Sequence, residues 1–540
     1  MKRKSIKIIS LFLSGVLILG IGGCTSKAQK ATPVNQENLE EKGIEEKNEQ
    51  VNSIEEYIIP DSKGNWGQPT PYGFIPRGPG FIYMSYVFDS LIWKNENGDF
   101  IPALAKKWDY DEEKNTYTFE LQENAKWHDG EAITAKDITF TIDYIQKHPI
   151  FWLDLKAIEG VKAIGQNKVE FKLKQKWSPF YTNIAGCMPI LPEHIYKDIN
   201  NPQEYLSEKS AIGSGPFKLA EYNAEKGEYV FEAFKDYYQG YPKVRKLKVF
   251  KMNPQMQPKA LLQGEVDAIF TNGDAKQVLK EKDIKIISNI GMLTKVAFNH
   301  QKAPFDDKEF RHAIAYLINR DEIIEIAHRG HAFMGNAGIF PEQSKYYEQG
   351  MEQYTYNTEK GEEILKKLGY KKDGEYYKKD GKILGFKVLG HERVRRDVDI
   401  IVEQLNKAGI KAEAVYKDLQ QADQMIINRD FDLSVVESAA LGDPIFLNRD
   451  ILGKSATSDQ YHKSEKINQL LTQQLSAVDI EERKEILKEF QKIYVEELPS
   501  YHIYFSEFVF AHNDKVELYY TKEGVSIGVP LALNKMIFVK

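Results

Sequence analysis

The sequence predicts a mixed α/β fold, on three observations. Tyr117, Phe119 and Leu121 alternate with polar neighbours, and Val169, Phe171 and Leu173 do the same, which is the period of half-buried strands. Phe310, Ala313, Ile314, Leu317 and Ile318 fall at i, i+3, i+4, i+7 and i+8, the stripe of a helix lying on a core. Strand-rich and helix-rich stretches interleave along 540 residues without an internal repeat, which is enough chain for two or three domains.

The N-terminus reads as an address. Lys2, Arg3, Lys4 and Lys7 precede an uncharged run, Ile8 to Ile21, that is short for a membrane span and typical of a secretory signal. Ile21-Gly22-Gly23-Cys24 follows it and resembles a bacterial lipobox. Residues 1–23 are thus expected to be removed and Cys24 to carry the lipid. From Thr25 to Glu56 there is no aromatic residue, and Glu, Lys, Gln and Asn dominate, so residues 24–56 read as a lipidated cysteine and a disordered tether. Aromatic residues begin at Tyr57, where the folded body is expected to start.

Punctuation supports the remaining elements. Asp306 or Asp307 is placed to cap the helix at Phe310, and Asp321 to cap the next. Val398, Ile401, Val402 and Leu405 form another helical stripe, stopped by Gly409 before a strand over Ile410 to Val415. Asp479 with Glu482 resembles a capping box, and the helix it opens, carrying Ile486, Leu487, Phe490, Ile493 and Tyr494, ends before Pro499.

Composition excludes several functions. There are 73 basic and 79 acidic residues, a net charge of -6, so no strong basic field marks a nucleic-acid binder. Two cysteines, Cys24 and Cys187, leave no room for a disulfide framework or a cysteine-rich metal site, and Cys187 reads as a small core residue. His328 and His331 are spaced to share a helix face but lack further ligands, so a surface pair is expected, with no metal and no cofactor. Enzyme motifs are imitated but not completed. Gly213-Ser214-Gly215 lacks the spacing of a nucleophile elbow, His391-Glu392 does not continue to a second histidine, and Gly453-Lys454-Ser455 has Asn448 where a phosphate loop begins with glycine. A secreted lipoprotein hydrolase with dispersed catalytic residues is the competing class.

Ordered blocks across nearly the whole mature chain carry a resemblance. They are Pro102 to Trp108, Tyr117 to Leu121, Trp127-His128-Asp129-Gly130-Glu131, Thr134 to Ile138, Gly213 to Phe217, Gly264-Glu265-Val266-Asp267, Phe298-Asn299 with Phe310 to Ile314 and Asn319-Arg320, Phe431-Asp432-Leu433, Asp443-Pro444 and Leu498-Pro499. The set resembles the oligopeptide/dipeptide/nickel class, family 5, of extracellular solute-binding lipoproteins of ABC importers. The resemblance implies a two-lobe Venus flytrap. Lobe I would span 57–302 plus 502–540, with a subdomain at about 101–212, and lobe II 303–501. Phe298 and Asn299 would mark the hinge. The implied function is capture of short peptides and delivery to ABC permease subunits with separate ATPase subunits. The protein would act as a monomer on the outer face of the bacterial membrane or its periplasmic side, would not be an enzyme, and would bind no nucleic acid.

The ligand is the open part of that reading. Peptide-binding members hold the ligand amine with an aspartate just ahead of the Asp-Pro dipeptide, where this chain has Ala440, so Glu437 and Asp443 are the candidate acids. Nickel-chelate members, the alternative, use aromatic residues and arginines. Trp152 matches one such tryptophan, but Pro149 and Met188 stand where that branch has arginines, and Ser438 and Gly442 where it has aromatics. Arg395 or Arg396, in His391-Glu392-Arg393-Val394-Arg395-Arg396, stands where dipeptide binders hold the ligand carboxylate, a task suited to the planar guanidinium fork. Phe81, Tyr83 and Tyr86 form an aromatic row suited to core packing, with Tyr83 a candidate for the cleft lining.

Overall fold

Two large apolar cores divide the molecule. One gathers side chains from Tyr57 to Ala268 and then Phe510 to Val539; the other runs from Val296 to Tyr504. The chain therefore leaves lobe I, builds lobe II and returns. The structure is a computed structural model, and it describes residues 53–540 except Arg77, Phe151, Asn272, Glu281, Asp283 and Ala440. The signal, Cys24, nearly all of the tether and Ala440 fall outside the described residues.

Lobe I opens with β1 (Tyr57–Asp61), which pairs in parallel with strand Lys246–Lys251 at the edge of a four-stranded sheet completed by Glu228–Ala233 and Phe217–Asn223. Helix α1 (Gly78–Val87) buries Tyr83 and Tyr86 against that sheet and Phe81 against Phe74, Trp93 and Trp152. A second four-stranded sheet, built of Ala105–Asp111, Thr116–Leu121, Lys168–Leu173 and Ile158–Ile164, carries the two alternating patterns seen in the sequence. Tyr117, Phe119, Val169 and Phe171 all face its core. Helix Ala135–Lys147 packs on this sheet behind a reciprocal cap, Thr134 N donating to Asp137 Oδ2 at 2.8 Å.

A larger sheet joins the lobes. Strands β2 (Ala268–Thr271) and β3 (Lys285–Phe298) enter it from lobe I. After β3 come α2 (Lys308–Leu317), capped by Asp307, and α3 (Arg320–His328). The cap of α3 is Asn319, whose side chain accepts from Glu322 N at 3.2 Å; Asp321 lies inside the first turn, where its charge still favours the helix terminus. Lobe II continues with β4 (Ala332–Met334), β5 (Gly385–Gly390), α4 (Arg395–Lys407), β6 (Lys411–Tyr416) and β7 (Leu433–Ala439). Gly409 follows α4 at φ +91°, a left-handed conformation that glycine adopts without a Cβ clash. Helix α5 (Ile480–Glu497) starts at Asp479, which accepts from the backbone of Glu481 and Glu482, and β8 (Ser500–His512) returns to lobe I.

The strand order is β2-β8-β3-β7-β5-β6, with β4 on the edge of β8. Lys285 to Ile290 of β3 pairs with Glu507 to His512 beside β2, whereas Leu293 to Phe298 pairs with Ser500 to Phe505 and with β7. The register shifts twice, between Ile290 and Leu293 and between Thr294 and Lys295, so the crossing from lobe to lobe is irregular over this stretch. Phe298 and Asn299, expected at the hinge, lie further along. Phe298 is buried in the second core, and Asn299 Nδ2 donates to the carbonyls of Arg429 and Phe431 at 3.0 and 2.7 Å, tying the end of β3 into lobe II. Among the described residues no helix is long and apolar enough to cross a membrane.

Candidate ligand cleft between the lobes

The floor of the cleft is the crossing itself. Side chains alternate along a strand, so Tyr504, Ser506, Phe508 and Phe510 of β8 project to one face. Residues 506–508 are only half-buried, unlike the fully buried positions on either side. Gly291 of β3 lies beneath them: a Cβ there would stand 2.4 Å from the Phe508 ring and 2.6 Å from Ser506 Oγ. Glycine lets the ring lie flat over the backbone. Ser506 Oγ accepts from Met292 N at 2.8 Å, which satisfies an amide left unpaired by the bulge.

On the lobe I side, the floor opens into a cavity of about 730 Å³ lined by Trp66, Tyr83, Phe270, Phe508, Leu531 and Leu533 among others. Asp61 at the end of β1 is the one charged side chain among its described lining residues, and it is fully engaged. Its Oδ2 accepts from Trp66 Nε1 at 2.9 Å and Tyr83 OH at 3.2 Å, and its Oδ1 from the backbone of Lys63 and Gly64 at 2.8 and 2.6 Å. Burial, then the Asp61 charge, holds the Tyr83 phenol well above its ordinary pKa, so it stays a donor.

The lobe II side is charged. Glu437 on β7 pairs across Thr294, which in turn pairs with Tyr504, placing the carboxylate on the same face as the floor. Its Oε2 is buried and accepts no hydrogen bond; Arg393 Nη2 stands 3.3 Å away and His391 Nε2 4.0 Å. Burial lowers the His391 pKa, partly offset by the Glu437 charge. Nearby, His328 Nε2 meets Asp397 Oδ1 at 2.7 Å, with its ring centroid 4.3 Å from that of Tyr504. The lobes also touch away from the floor: Ser178 N donates to Leu475 O at 2.7 Å, and Ser344 Oγ to Glu523 Oε1 at 3.0 Å.

The sequence-predicted residues separate into two groups. Tyr83 and Glu437 face this cleft, one from each lobe. The others have different partners. Asp443 is buried and gives both oxygens to Arg483, at 2.6 and 2.8 Å, besides accepting from Ile445 N. Burial would raise its pKa, but Arg483 holds it below the ordinary carboxylate value, so it is a structural ion pair and not a free anchor. Arg395 donates to Glu392 at 2.9 Å and lies 3.9 Å over the Tyr416 ring; Arg396 reaches the Ala327 carbonyl at 3.5 Å. Arg393 is the guanidinium that meets Glu437. A short 3₁₀ turn, Glu392–Val394, rotates it onto that side, a displacement that spacing alone does not reveal. Trp152 packs on Phe74 and Phe81, at 5.8 and 5.9 Å, in the lobe I core. Cys187 is buried, as expected, with Sγ 2.9 Å from the Asn183 carbonyl. His328 and His331 have separate acidic partners, Asp397 and Glu507, and among the described residues no cluster is arranged to hold a metal ion.

Two lobes joined by crossing strands around such a cleft agree with what comparison with known proteins finds. Residues 99–460 match the family model described as bacterial extracellular solute-binding proteins, family 5 Middle. The chain belongs to the family 5 extracellular solute-binding proteins. Among its relatives, the oligopeptide-binding protein AppA of Bacillus subtilis is 28% identical over 75% of this chain and 78% of its own. The dipeptide-binding protein of Escherichia coli is 27% identical over 59% of this chain and 63% of its own. The structure of NikA from Brucella suis in complex with Fe(III)-EDTA superposes with a TM-score of 0.77 at 19% identity, covering 88% of this chain and 99% of that one, which shows the shared fold. Family 5 members are solute-binding proteins, and an extracytoplasmic location follows from the family description.

Proposed function

We propose that this protein captures short peptides between its lobes and delivers them to an ABC permease driven by separate ATPase subunits, releasing the ligand chemically unchanged. The observation that carries the reading is Glu437, whose buried Oε2 has Arg393 as an ion-pair neighbour at 3.3 Å but accepts no hydrogen bond. A ligand α-ammonium supplies a donor to it in a charge-assisted bond, beside the Arg393 guanidinium. Glu437 thus takes the role that Ala440 has no side-chain oxygen to perform. The relatives' oligopeptide and dipeptide ligands support the same substrate class. Closure about the bulge at Ile290 to Leu293 converts binding energy into a lobe arrangement that a permease can recognise.

Cys24 is the proposed lipid anchor, and the tether behind it gives a monomeric body reach above the membrane. Replacing Cys24→Ser is expected to move the protein from the membrane fraction to the medium or periplasm; retention in the membrane would overturn the anchor.

Native mass spectrometry of protein purified from cells grown in rich medium with nickel tests the ligand. The expected result is a spread of added masses that resolves into short peptides on denaturation. A single added mass with a nickel isotope pattern would replace the peptide reading with a metal chelate.

A further inference from the structure

We infer that the two lobes clasp each other directly at three points, which favours the closed arrangement before any ligand is bound, and that Arg483 is the positioning residue that holds the lobe II half of the clasp together. The inference goes beyond the peptide reading and does not depend on the identity of the ligand.

Each point joins a segment of lobe I to a segment of lobe II. At the first, Ser178 N and Oγ donate to the carbonyls of Leu475 and Gln474, at 2.7 and 2.9 Å. These carbonyls belong to the last turn of helix Glu465–Ser476, where carbonyls run out of intrahelical donors, so lobe I caps a helix of lobe II. The side chains of Leu475 and Ile445 pack against the lobe I core beside it. At the second point two glycines meet. Gly442 of lobe II and Gly528 of lobe I have φ of +106° and +87°. A Cβ on Gly528 would stand 2.4 Å from the Leu441 carbonyl oxygen, and one on Gly442 3.0 Å from Gly528 Cα, so the two backbones approach this closely because neither carries a side chain. At the third, Glu523 Oε1 of lobe I accepts from Ser344 Oγ and Lys345 N of lobe II, at 3.0 and 3.2 Å. All of these contacts are made within the protein, so each favours closure by itself.

The three lobe II segments converge on one guanidinium. Arg483, 4% exposed on α5, donates to both oxygens of Asp443, which adjoins Gly442 and accepts from Ile445 N. It also donates through Nε and Nη2 to Gln474 Oε1, at 3.0 and 2.7 Å, and lies 5.9 Å from the ring centroid of Tyr346, in the segment that meets Glu523. Gln491, further along α5, donates to the Tyr346 carbonyl at 2.8 Å and secures the same segment. A planar fork of five donors serves an acid and an amide at once, which the compact ammonium of lysine does not reproduce. The ion pair that withdraws Asp443 from the ligand thus sets the jaw that closes on lobe I.

The test is the distance between spin labels on Gln175→Cys in lobe I and Gln473→Cys in lobe II, exposed positions that flank the first point. It is measured by pulsed electron resonance in the full chain with Cys24→Ser, labelled after refolding from denaturant to release bound ligand. One short, narrow distance is expected. Leu475→Asp and Glu523→Lys, each confined to one point, are expected to lower the ratio of closed to open molecules by roughly tenfold, seen as a second, longer distance. Arg483→Lys is expected to bring in the longer distance as well, although the partners named above all lie in lobe II. A broad, long distance in the labelled protein without these substitutions overturns the clasp, as does a short distance that neither Leu475→Asp nor Glu523→Lys alters. A lowered denaturation midpoint in Arg483→Lys with the short distance unchanged overturns its positioning role. The peptide reading stands or falls separately, since no ligand enters the measurement.

Discussion

Each lobe buries a lysine–aspartate pair, and the two are satisfied in different ways. In lobe I, Lys535 pairs with Asp89, and neither side chain reaches solvent. Asp89 Oδ2 also accepts from the phenols of Tyr237 and Tyr238, at 3.1 and 2.5 Å, and the Lys535 ammonium lies 4.1 Å from the Trp93 ring. Burial lowers the Lys535 pKa and Asp89 works against that shift. In lobe II, Lys295 pairs with Asp459 at 2.6 Å; Asp459 accepts from Tyr494 OH at 3.0 Å, and Tyr494 OH lies 2.9 Å from Ser500 Oγ and 3.3 Å from His502 Nε2. The first pair sits in an aromatic cage. The second links both crossing strands to α5, because Lys295 is on β3 and Ser500 and His502 are on β8. The difference teaches that the lobe I pair is enclosed within its own core, whereas the polar network of lobe II is continuous with the crossing strands.

The largest effects come from breaking one partner of either pair. Asp89→Ala and Asp459→Ala each strand a buried ammonium and are expected to destabilise their lobe by about 3–5 kcal/mol, read as a shift of the denaturation midpoint. Replacing both partners by apolar residues, Lys535→Met with Asp89→Leu, removes the charges but leaves the Tyr237 and Tyr238 phenols without their carboxylate, so a loss is expected to remain. The matching Lys295→Met with Asp459→Leu leaves Tyr494 OH its Ser500 and His502 neighbours, so a smaller loss there would confirm that the two pairs differ, and equal losses would erase the contrast.

Acid is expected to weaken both lobes. His128 in lobe I and His502 in lobe II have pKa values pushed down to about 4, in each case by burial first. The unfolded chain takes up these protons near pH 6.5 and the folded chain refuses them until about pH 4, so stability is complete above pH 6.5 and falls between those values. Each histidine contributes about 3 kcal/mol to that loss. Denaturation midpoints measured from pH 7 to pH 4 should show it, and the slope should be shallower in His128→Gln; a midpoint flat with pH would contradict both assignments.

Smaller effects concern the cleft. Glu437→Gln is expected to weaken a free-amine peptide by about 1.5–3 kcal/mol, the range for a hydrogen bond to a charged group, while leaving an amino-acetylated peptide unchanged; equal weakening of both would remove Glu437 from the amine site. The smallest effect is expected from Arg395→Ala with Arg396→Ala. Their contacts are solvent-exposed, and peptide affinity should change by less than about 0.5 kcal/mol. A tenfold loss would return the ligand carboxylate to them.

Local rules carried the sequence reading a long way. Alternation placed the strands of Tyr117 and Phe171; Asp307 and Asp479 begin their helices and Gly409 closes one as short-range chemistry requires; and the ordered motif blocks indicated the two-lobe family. Each of these signals depends on residues a few positions apart. Asn319 displaced Asp321 as a cap because two neighbouring residues offered the same chemistry and the path of the chain chose between them.

The cleft had no such local signature. Asp61, Tyr83, Phe270, Phe508 and Leu531 line one cavity although the sequence scatters them from end to end, and Asp443 is withdrawn from the site by Arg483, a residue on a later helix. Arg393 and not Arg395 meets Glu437 because a single 3₁₀ turn alters the direction of the run. Composition and periodicity determine which residues can form strands, helices and caps, since those depend on backbone geometry and nearest neighbours. Which side chains share a site was decided by the crossing of β3 and β8, because only the pairing of distant strands sets the register that puts an acid from one lobe on the same face as an aromatic wall of the other.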